Sequence, residues 1–485
     1  MVSGPKDFWF SPATDLRPDY LHLTKRFGIV AASQLPLHYL LIWKSSWSPL
    51  QILTRSSHET LNAYHQLLAG IISRLLALHV AFYLNFYVVS NLLGSKIKEF
   101  YVICGILGFV AILALDGTAL APVRKWSYRV FYATHVISAV TLLPILFFHV
   151  SHIRIYLYET ATVYVLGSFL RWISAINVRG TVRVLPGSSL VEITVPIDSN
   201  TNSKRMHESL RPGQHAYVSL AGNPWSRTYR SNPFTVASIP SVDRNVKFVV
   251  RALDGNTARL KTNVGGTPSD AKCQLAVEGA YGTCSLEDQL VQYDRVLFIA
   301  GGVGATFTVP LYRQLLADLS PSKGSYRRQK VSFVWIAKSK AEVTWAIPRD
   351  HREKESFTER LKICLTGHDS TAMDGSNDIM DYDENRGAAV AETEDGIELE
   401  EQKELLSDAA TTDGRAITGQ SDLPIYTGRP DIRRLVGQTF SHGSDEKIAI
   451  IVCGPRGMGH NLRQEITPWV KKGRDVWFHD ESFSL

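Results

Sequence analysis

Ser56 to Val88 reads SSHETLNAYHQLLAGIISRLLALHVAFYLNFYV, an apolar stretch of helical length that carries His65 and His79. At 1.5 Å and 100° per residue, fourteen positions set the two histidines ~21 Å apart along the axis and within about 40° of one face. Ser127 to His152, SYRVFYATHVISAVTLLPILFFHVSH, repeats the device with His135 and His149 at the same separation. If the two helices run side by side in one direction, His65 meets His135 and His79 meets His149.

Ionisable residues inside apolar spans are costly and rare. Two matched pairs on separate helices therefore outweigh the ordinary explanation of a histidine bonded to a neighbouring helix. Bis-imidazole ligation leaves no open coordination position, which suits haem that passes electrons rather than binds oxygen. His152, one turn after His149, is an alternative ligand; the repeated spacing favours His149. His38 has no partner at that spacing and reads as a helix-interface residue.

Apolar stretches of spanning length, about 17 to 25 residues, occur at 27–43, 64–88, 97–115, 130–150 and 153–173, the first interrupted by Gln34, Pro36 and His38. Ser56 and Glu59 form an S-x-x-E capping box that starts the main helix near His58. The basic loop PVRKWSYR, with Arg124, Lys125 and Arg129, reads as cytoplasmic. Both histidine helices then run outward from the cytosol.

The whole chain, 485 residues with a net charge of +6, averages an apolar first third with a polar remainder. Its basic residues form no continuous patch, which argues against nucleic acid as a partner. Five scattered cysteines without a C-x-x-C pair argue against a disulfide framework and a zinc site. MVSGPKDFWFSPATD has neither a basic nor an apolar leader region, so no cleaved secretory signal is expected.

Beyond Arg171 the pattern changes to short alternating runs, VRGTVRVL, SLVEITVPI, QHAYVSL and NVKFVVRAL, which predict an antiparallel barrel over 177–288. From Asp294, DRVLFIAGGVGATFTVPLYRQLL reads as buried strand, glycine turn and helix. Gly301, Gly302 and Gly304 allow close backbone approach, and the helix start favours a phosphate. KIAIIVCGPRGM predicts a second strand ending in Cys453, Gly454 and Pro455 on the same face, where parallel sheets bind ligands. The segment 367–421 is acidic and poor in large apolar residues, the composition of a disordered insertion.

Together these residues resemble the ferric reductase and NADPH oxidase superfamily, most closely fungal ferric/cupric reductases. The resemblance rests on the two H-x13-H helices, Pro212-Gly213-Gln214, PFTVAS at 233–238, GGVGAT at 301–306, GRP at 428–430, CGP with Met458, and HDESF at 479–483. It implies a helical transmembrane haem domain of about five spans over 27–173, preceded by an extramembrane segment 1–26. A β-barrel FAD domain (177–288) and an α/β Rossmann-like NADPH domain (289–485), like ferredoxin–NADP reductase, follow.

The implied cofactors are FAD, NADPH and two b-type haems, the latter on His65, His79, His135 and His149. FAD would be held by Pro212, Gly213, Gln214, Pro233, Phe234 and Thr235, with Phe483 at the closing motif. NADPH would lie on Gly301, Gly302, Gly304, Thr306, Gly454 and Pro455, with Cys453 as the catalytic residue and Lys338, beside Lys340, facing the 2′-phosphate. The implied protein crosses the plasma membrane several times with its C-terminal half cytosolic. It carries electrons from NADPH to a ferric or cupric ion or chelate on the far side. Superoxide production and a degenerate, non-catalytic assembly partner are the alternatives. Asn232 where the family has His, GAYG at 279–282, Phe307 for Pro, a C-terminal Leu485 and the lack of the usual first membrane helix depart from the pattern.

Overall fold

The computed structural model describes residues 20–481 apart from 45–46, 55, 57, 198–200, 221–230, 253–256, 258–270, 283–285, 320–329, 349 and 368–422. The acidic segment, save Gly367, and Phe483 lie outside these residues. The chain divides into two compact units, Met1–Ser174 and Ala175–Leu485.

The first unit contains helices α1 (Tyr20–Ser33), α2 (Leu35–Leu41), α3 (His58–Val89), α4 (Phe100–Thr118), α5 (Tyr128–His149) and α6 (Arg154–Ser174). Leu67, Leu84, Phe100, Val110, Ile137 and Val165 are exposed on these helices. Outward apolar side chains are what lipid contact demands and what water disfavours. Among the described residues, α3 from Thr60, α4 and α5 from Val130 are long and apolar enough to cross a membrane.

The stretch 27–43, expected as one span, is two helices. Pro36 offers no N–H and its ring crowds the preceding turn, so α1 ends at Ser33 and α2 restarts with proline in its first turn. The stretch 153–173 is helical as α6 but does not reach the same apolar standard. α3 begins at His58 as expected. The Ser56 hydroxyl donates to the Thr54 carbonyl at 3.4 Å. Ser127 caps α5, accepting from Val130 N at 3.3 Å.

In the second unit, six antiparallel strands form one sheet: β1 (Ala175–Val184), β2 (Leu190–Pro196), β3 (His215–Leu220), β4 (Asn232–Thr235), β5 (Asn245–Arg251) and β6 (Ala271–Tyr281). Their order is β4-β3-β6-β1-β2-β5, and a bridge between Val236 and Phe248 joins the two edges into a near-closed barrel. Alternate residues fill it, with Ile193, Phe248 and Leu275 fully enclosed.

The remaining strands, β7 (Arg295–Gly301), β8 (Val331–Ala337), β9 (Leu361–Leu365), β10 (Ile425–Thr427), β11 (Ile448–Cys453) and β12 (Val476–Glu481), make a sheet ordered β10-β9-β8-β7-β11-β12. Every pairing in it is parallel. Helices α7 (Ala305–Asp318) and α8 (Arg456–Lys471) follow β7 and β11. Near-continuous burial of β7, β8 and β11 reflects a sheet covered on both faces.

Arg313 of α7 ties the barrel to this sheet. Its guanidinium donates to both carboxylate oxygens of Asp243 at 3.0 and 2.7 Å and also bonds Glu353. Removing one member of a buried ion pair strands the others. Arg313→Ala is expected to destabilise this unit by about 3 kcal/mol, at the low end of the range because Glu353 is 41 % exposed. Chemical denaturation followed by tryptophan fluorescence measures it. Arg313→Lys should recover less than half, since an ammonium cannot fork onto two carboxylates. A loss under about 1 kcal/mol would reduce the triad to a surface contact.

Candidate functional site

Two places gather the residues singled out by the sequence, one in each unit. In the helical unit the His65 and His135 rings lie 6.4 Å apart between centroids, and His79 and His149 lie 6.5 Å apart. Two pairs at equal offset require α3 and α5 to run in the same direction. His152 is exposed on the turn after α5, so the ring facing His79 is that of His149.

The His79–His149 pair is seated by one device used twice. His79 Nδ1 donates to the Thr24 carbonyl at 2.8 Å, and one turn further along α1 is Gly28, where a Cβ would come within 2.9 Å of the His79 ring. His149 Nδ1 donates to the Tyr101 carbonyl at 2.6 Å, and one turn along α4 a Cβ at Gly105 would lie 2.6 Å from its ring. A carbonyl can only accept, so it fixes the proton on Nδ1 and leaves the Nε2 lone pair for a metal. His65 follows the same rule through the His38 carbonyl at 3.1 Å, whereas His135 Nδ1 is buried without a partner.

These residues fit haem. Two metal–nitrogen bonds of about 2 Å, with about 1 Å more from each nitrogen to its ring centre, sum to roughly 6 Å. Both observed separations match that span, and the rings of each pair are tilted by 66° and 86° rather than stacked.

Sequence reasoning did not assign His38 to the site. The break at Pro36 turns α2 so that the His38 ring stacks on His65 at 3.9 Å and 12°. Gly28 and Gly105 were also missed; a glycine one turn beyond a carbonyl facing a histidine is the signal, and it becomes visible only when two helices are placed together.

In the second unit, β7 and β11 are neighbours, with Cys453 opposite Ala300. Their ends bring the two predicted turns into contact. A Cβ at Gly304 would overlap the Cys453 carbonyl, and one at Gly301 would sit 2.8 Å from Pro455. Gly302 has φ +53°, a left-handed turn that glycine accommodates. Gly454 is equally confined, by Met458. Thr306 is buried and donates to the Val303 carbonyl at 2.9 Å, so it closes the turn itself.

Cys453 is fully enclosed; burial, together with the Glu481 and Asp480 carboxylates, holds its thiol well above the ordinary value. At neutral pH its side chain is therefore a neutral thiol rather than a thiolate. Lys338 directly follows β8 and is exposed, with its backbone N–H held by Glu342 at 3.2 Å.

The barrel residues converge on the same junction. Gly213, at φ +78°, lies against Leu311 and Phe307 of α7. The Gln214 side chain accepts from Arg211 N at 2.9 Å, and its carbonyl from Val236 N at 2.9 Å, which fastens the Pro212–Gln214 turn to the chain leaving β4. Phe234 is buried among the barrel's core side chains, and Thr235 is also buried, whereas Pro233 is partly exposed. Contact through this strand therefore falls to its backbone and to Pro233. Phe307, which replaces the more usual proline, stacks on His479 of β12 at 5.7 Å.

A membrane-type helical unit with paired histidines, continuous in sequence with a barrel and a parallel nucleotide-type sheet, defines a membrane oxidoreductase. Residues 27–146 match the family model for the ferric reductase like transmembrane component, and residues 293–467 match that for the ferric reductase NAD binding domain. The chain belongs to the ferric reductase family.

Over 438 residues it is 23 % identical to the probable metalloreductase AIM14 of Meyerozyma guilliermondii, covering 90 % of this chain and 78 % of that protein. It is 23 % identical to ferric reductase transmembrane component 4 of Saccharomyces cerevisiae, covering 89 % of this chain and 58 % of that one. The probable cell surface ferric reductase kap2 of Aspergillus oryzae is 25 % identical over 70 % of this chain and 45 % of its own length. The chain thus spans about half the length of the latter two. A flavohemoglobin from Malassezia yamatoensis, solved with FAD and heme, aligns over 96 % of this chain and 98 % of that one, with a TM-score of 0.36 and 14 % identity.

Proposed function

We propose that this protein is a multi-pass membrane flavohaem reductase that takes electrons from cytosolic NADPH and delivers them across the membrane, with ferric or cupric ion or its chelate as acceptor. The observation that carries this reading is the pair of histidine pairs, each spaced for a metal between two imidazoles. The naming of fungal relatives as metalloreductases and ferric reductases supports the acceptor, and the Aspergillus protein's cell-surface description supports the plasma membrane.

His65 with His135, and His79 with His149, would each hold one b-type haem. The Pro212–Gln214 turn and the β4 backbone would hold FAD. When bound, flavin converts a two-electron hydride donor into single-electron steps, and bis-imidazole haem carries single electrons. The chain's own residues supply the rest. Gly301, Gly302 and Gly304 remove side chains at the end of β7, and the start of α7 directs its peptide dipoles at a phosphate. Lys338, exposed at the end of β8, is placed to meet a 2′-phosphate and so to favour NADPH over NADH. Cys453 closes the strand-end face with a neutral side chain that excludes water. The Nδ1 bonds to Thr24, Tyr101 and His38 hold three imidazoles in one tautomer and orientation.

A reduced-minus-oxidised spectrum of the purified protein tests the reading. Low-spin b-type bands at two haems per chain and one flavin per chain are expected. Protein that folds and takes up neither group would be an assembly partner and not a reductase. Superoxide formed in place of reduced metal would change the acceptor alone.

A further inference from the structure

His38 is placed beside the inner histidine pair by the break in the first helical stretch, and the proposed function assigns it nothing. Its ring lies 3.9 Å from that of His65 and only 12° from parallel, while the His135 ring lies 6.4 Å from His65. Its backbone carbonyl accepts from His65 Nδ1 at 3.1 Å. One residue therefore both orients His65 and sets a second imidazole against it.

The His38 Nδ1 atom is buried and has no hydrogen-bond partner. Leaving a buried polar nitrogen unpaired is costly, and a histidine serving only to fill space would be expected to find a carbonyl as His79 and His149 do. Among the described residues no imidazole is stacked on either ring of the His79–His149 pair in this way. The residue that holds His79 is Thr24, and the ring nearest it besides His149 is Tyr83, edge-on at 4.9 Å. Among the described residues the stacked spare imidazole is at the His65–His135 pair, while His152 is exposed on the turn after α5.

We infer that His38 is a reserve axial ligand on the His65 side of the inner haem, an inference that rests on the haem reading proposed above. In the exchange the iron–nitrogen bond to His65 breaks and one to His38 forms. A neutral imidazole replaces a neutral imidazole, so neither charge nor electron count changes. Among the described residues no imidazole stacks on His135, which therefore remains indispensable. The arrangement accounts for α2 being a separate short helix: a continuous helix through Pro36 would carry His38 on another path.

Full-length protein in detergent, with haem counted per chain and low-spin signals recorded by electron paramagnetic resonance, separates the possibilities. His65→Ala is expected to keep two haems with one altered low-spin signal. His38→Phe, which preserves the stacked ring without its nitrogens, keeps two haems. The double variant and His135→Ala each retain only one. If His65→Ala fails to accumulate, His65→Asn carries the same expectation. A wild-type protein with two haems and a His65 variant with one, or with an inner haem turned high-spin, would overturn the role of His38 and leave the reductase reading standing. Wild-type protein without haem would overturn both.

Discussion

Gly304→Val should lower the rate of NADPH-driven flavin reduction by at least ~100-fold, about 2.7 kcal/mol of barrier. Gly304 has an ordinary helical backbone, so the penalty does not come from φ. It comes from the neighbour: a Cβ there would overlap the Cys453 carbonyl and approach Gly454 N to 3.1 Å, both main-chain atoms of the adjacent strand end. Neither can swing aside as a side-chain tip can. Valine must therefore push the β7 and β11 ends apart, and those ends carry the glycine turn and Cys453.

Two controls isolate the cause. Haem content should be unchanged, because the histidine pairs belong to the other compact unit. Gly437→Ala, where an added Cβ meets nothing within 4 Å inside the helix Ile432–Phe440, should be neutral or stabilise by about 0.5 to 1 kcal/mol. Stopped-flow flavin absorbance reads the first effect. A wild-type rate in Gly304→Val would show that the two strand ends do not form the nucleotide site.

What could be read from the chain alone was whatever repeats locally. Four histidines at one spacing need only helical geometry to be paired, and the glycine turns are contiguous with the strands that deliver them. The strands β1, β2, β3, β5, β7 and β11 fall on the alternating or buried runs that announced them. Short β9 and β10, and β12 with its charged end, lack such a signature and are strands because β8 and β11 offer them a parallel edge.

Tertiary contacts were silent for the same reason. The stacking of His38 on His65 joins residues 27 positions apart across a helix break. The seats of His79 and His149 lie in α1 and α4, neither of which carries a haem-ligand candidate. Phe307, noted in the sequence only as a departure from proline, acquires a meaning when β12 brings His479 against it.

In sealed vesicles with NADPH at the cytosolic face, a membrane-impermeant ferric chelate trapped inside should be reduced, and His79→Ala should abolish that reduction while NADPH-driven flavin reduction survives. The expectation follows from where the pairs lie along their helices. α5 ends at His149, a short turn leads to Arg154, and α6 then runs 21 residues, ~31 Å, to Ser174, where the second unit begins in sequence. With that unit cytosolic, His149 and His79 lie at the far side and His135 and His65 at the near side. Exposed Arg124 and Lys125, just before α5, agree with a cytosolic start for that helix. Fourteen residues separate near and far pairs by ~21 Å. Electron tunnelling falls steeply with distance, and an apolar core of about 30 Å offers no other carrier, so losing the far pair should stop transfer even though the nucleotide face is untouched. Among the described residues no imidazole stacks on His79 as His38 does on His65, and the variant should lose one haem outright. Trapped chelate still reduced by His79→Ala protein would remove the far pair from the route. Reduction confined to the NADPH side in wild-type vesicles would instead place the whole activity in the second unit.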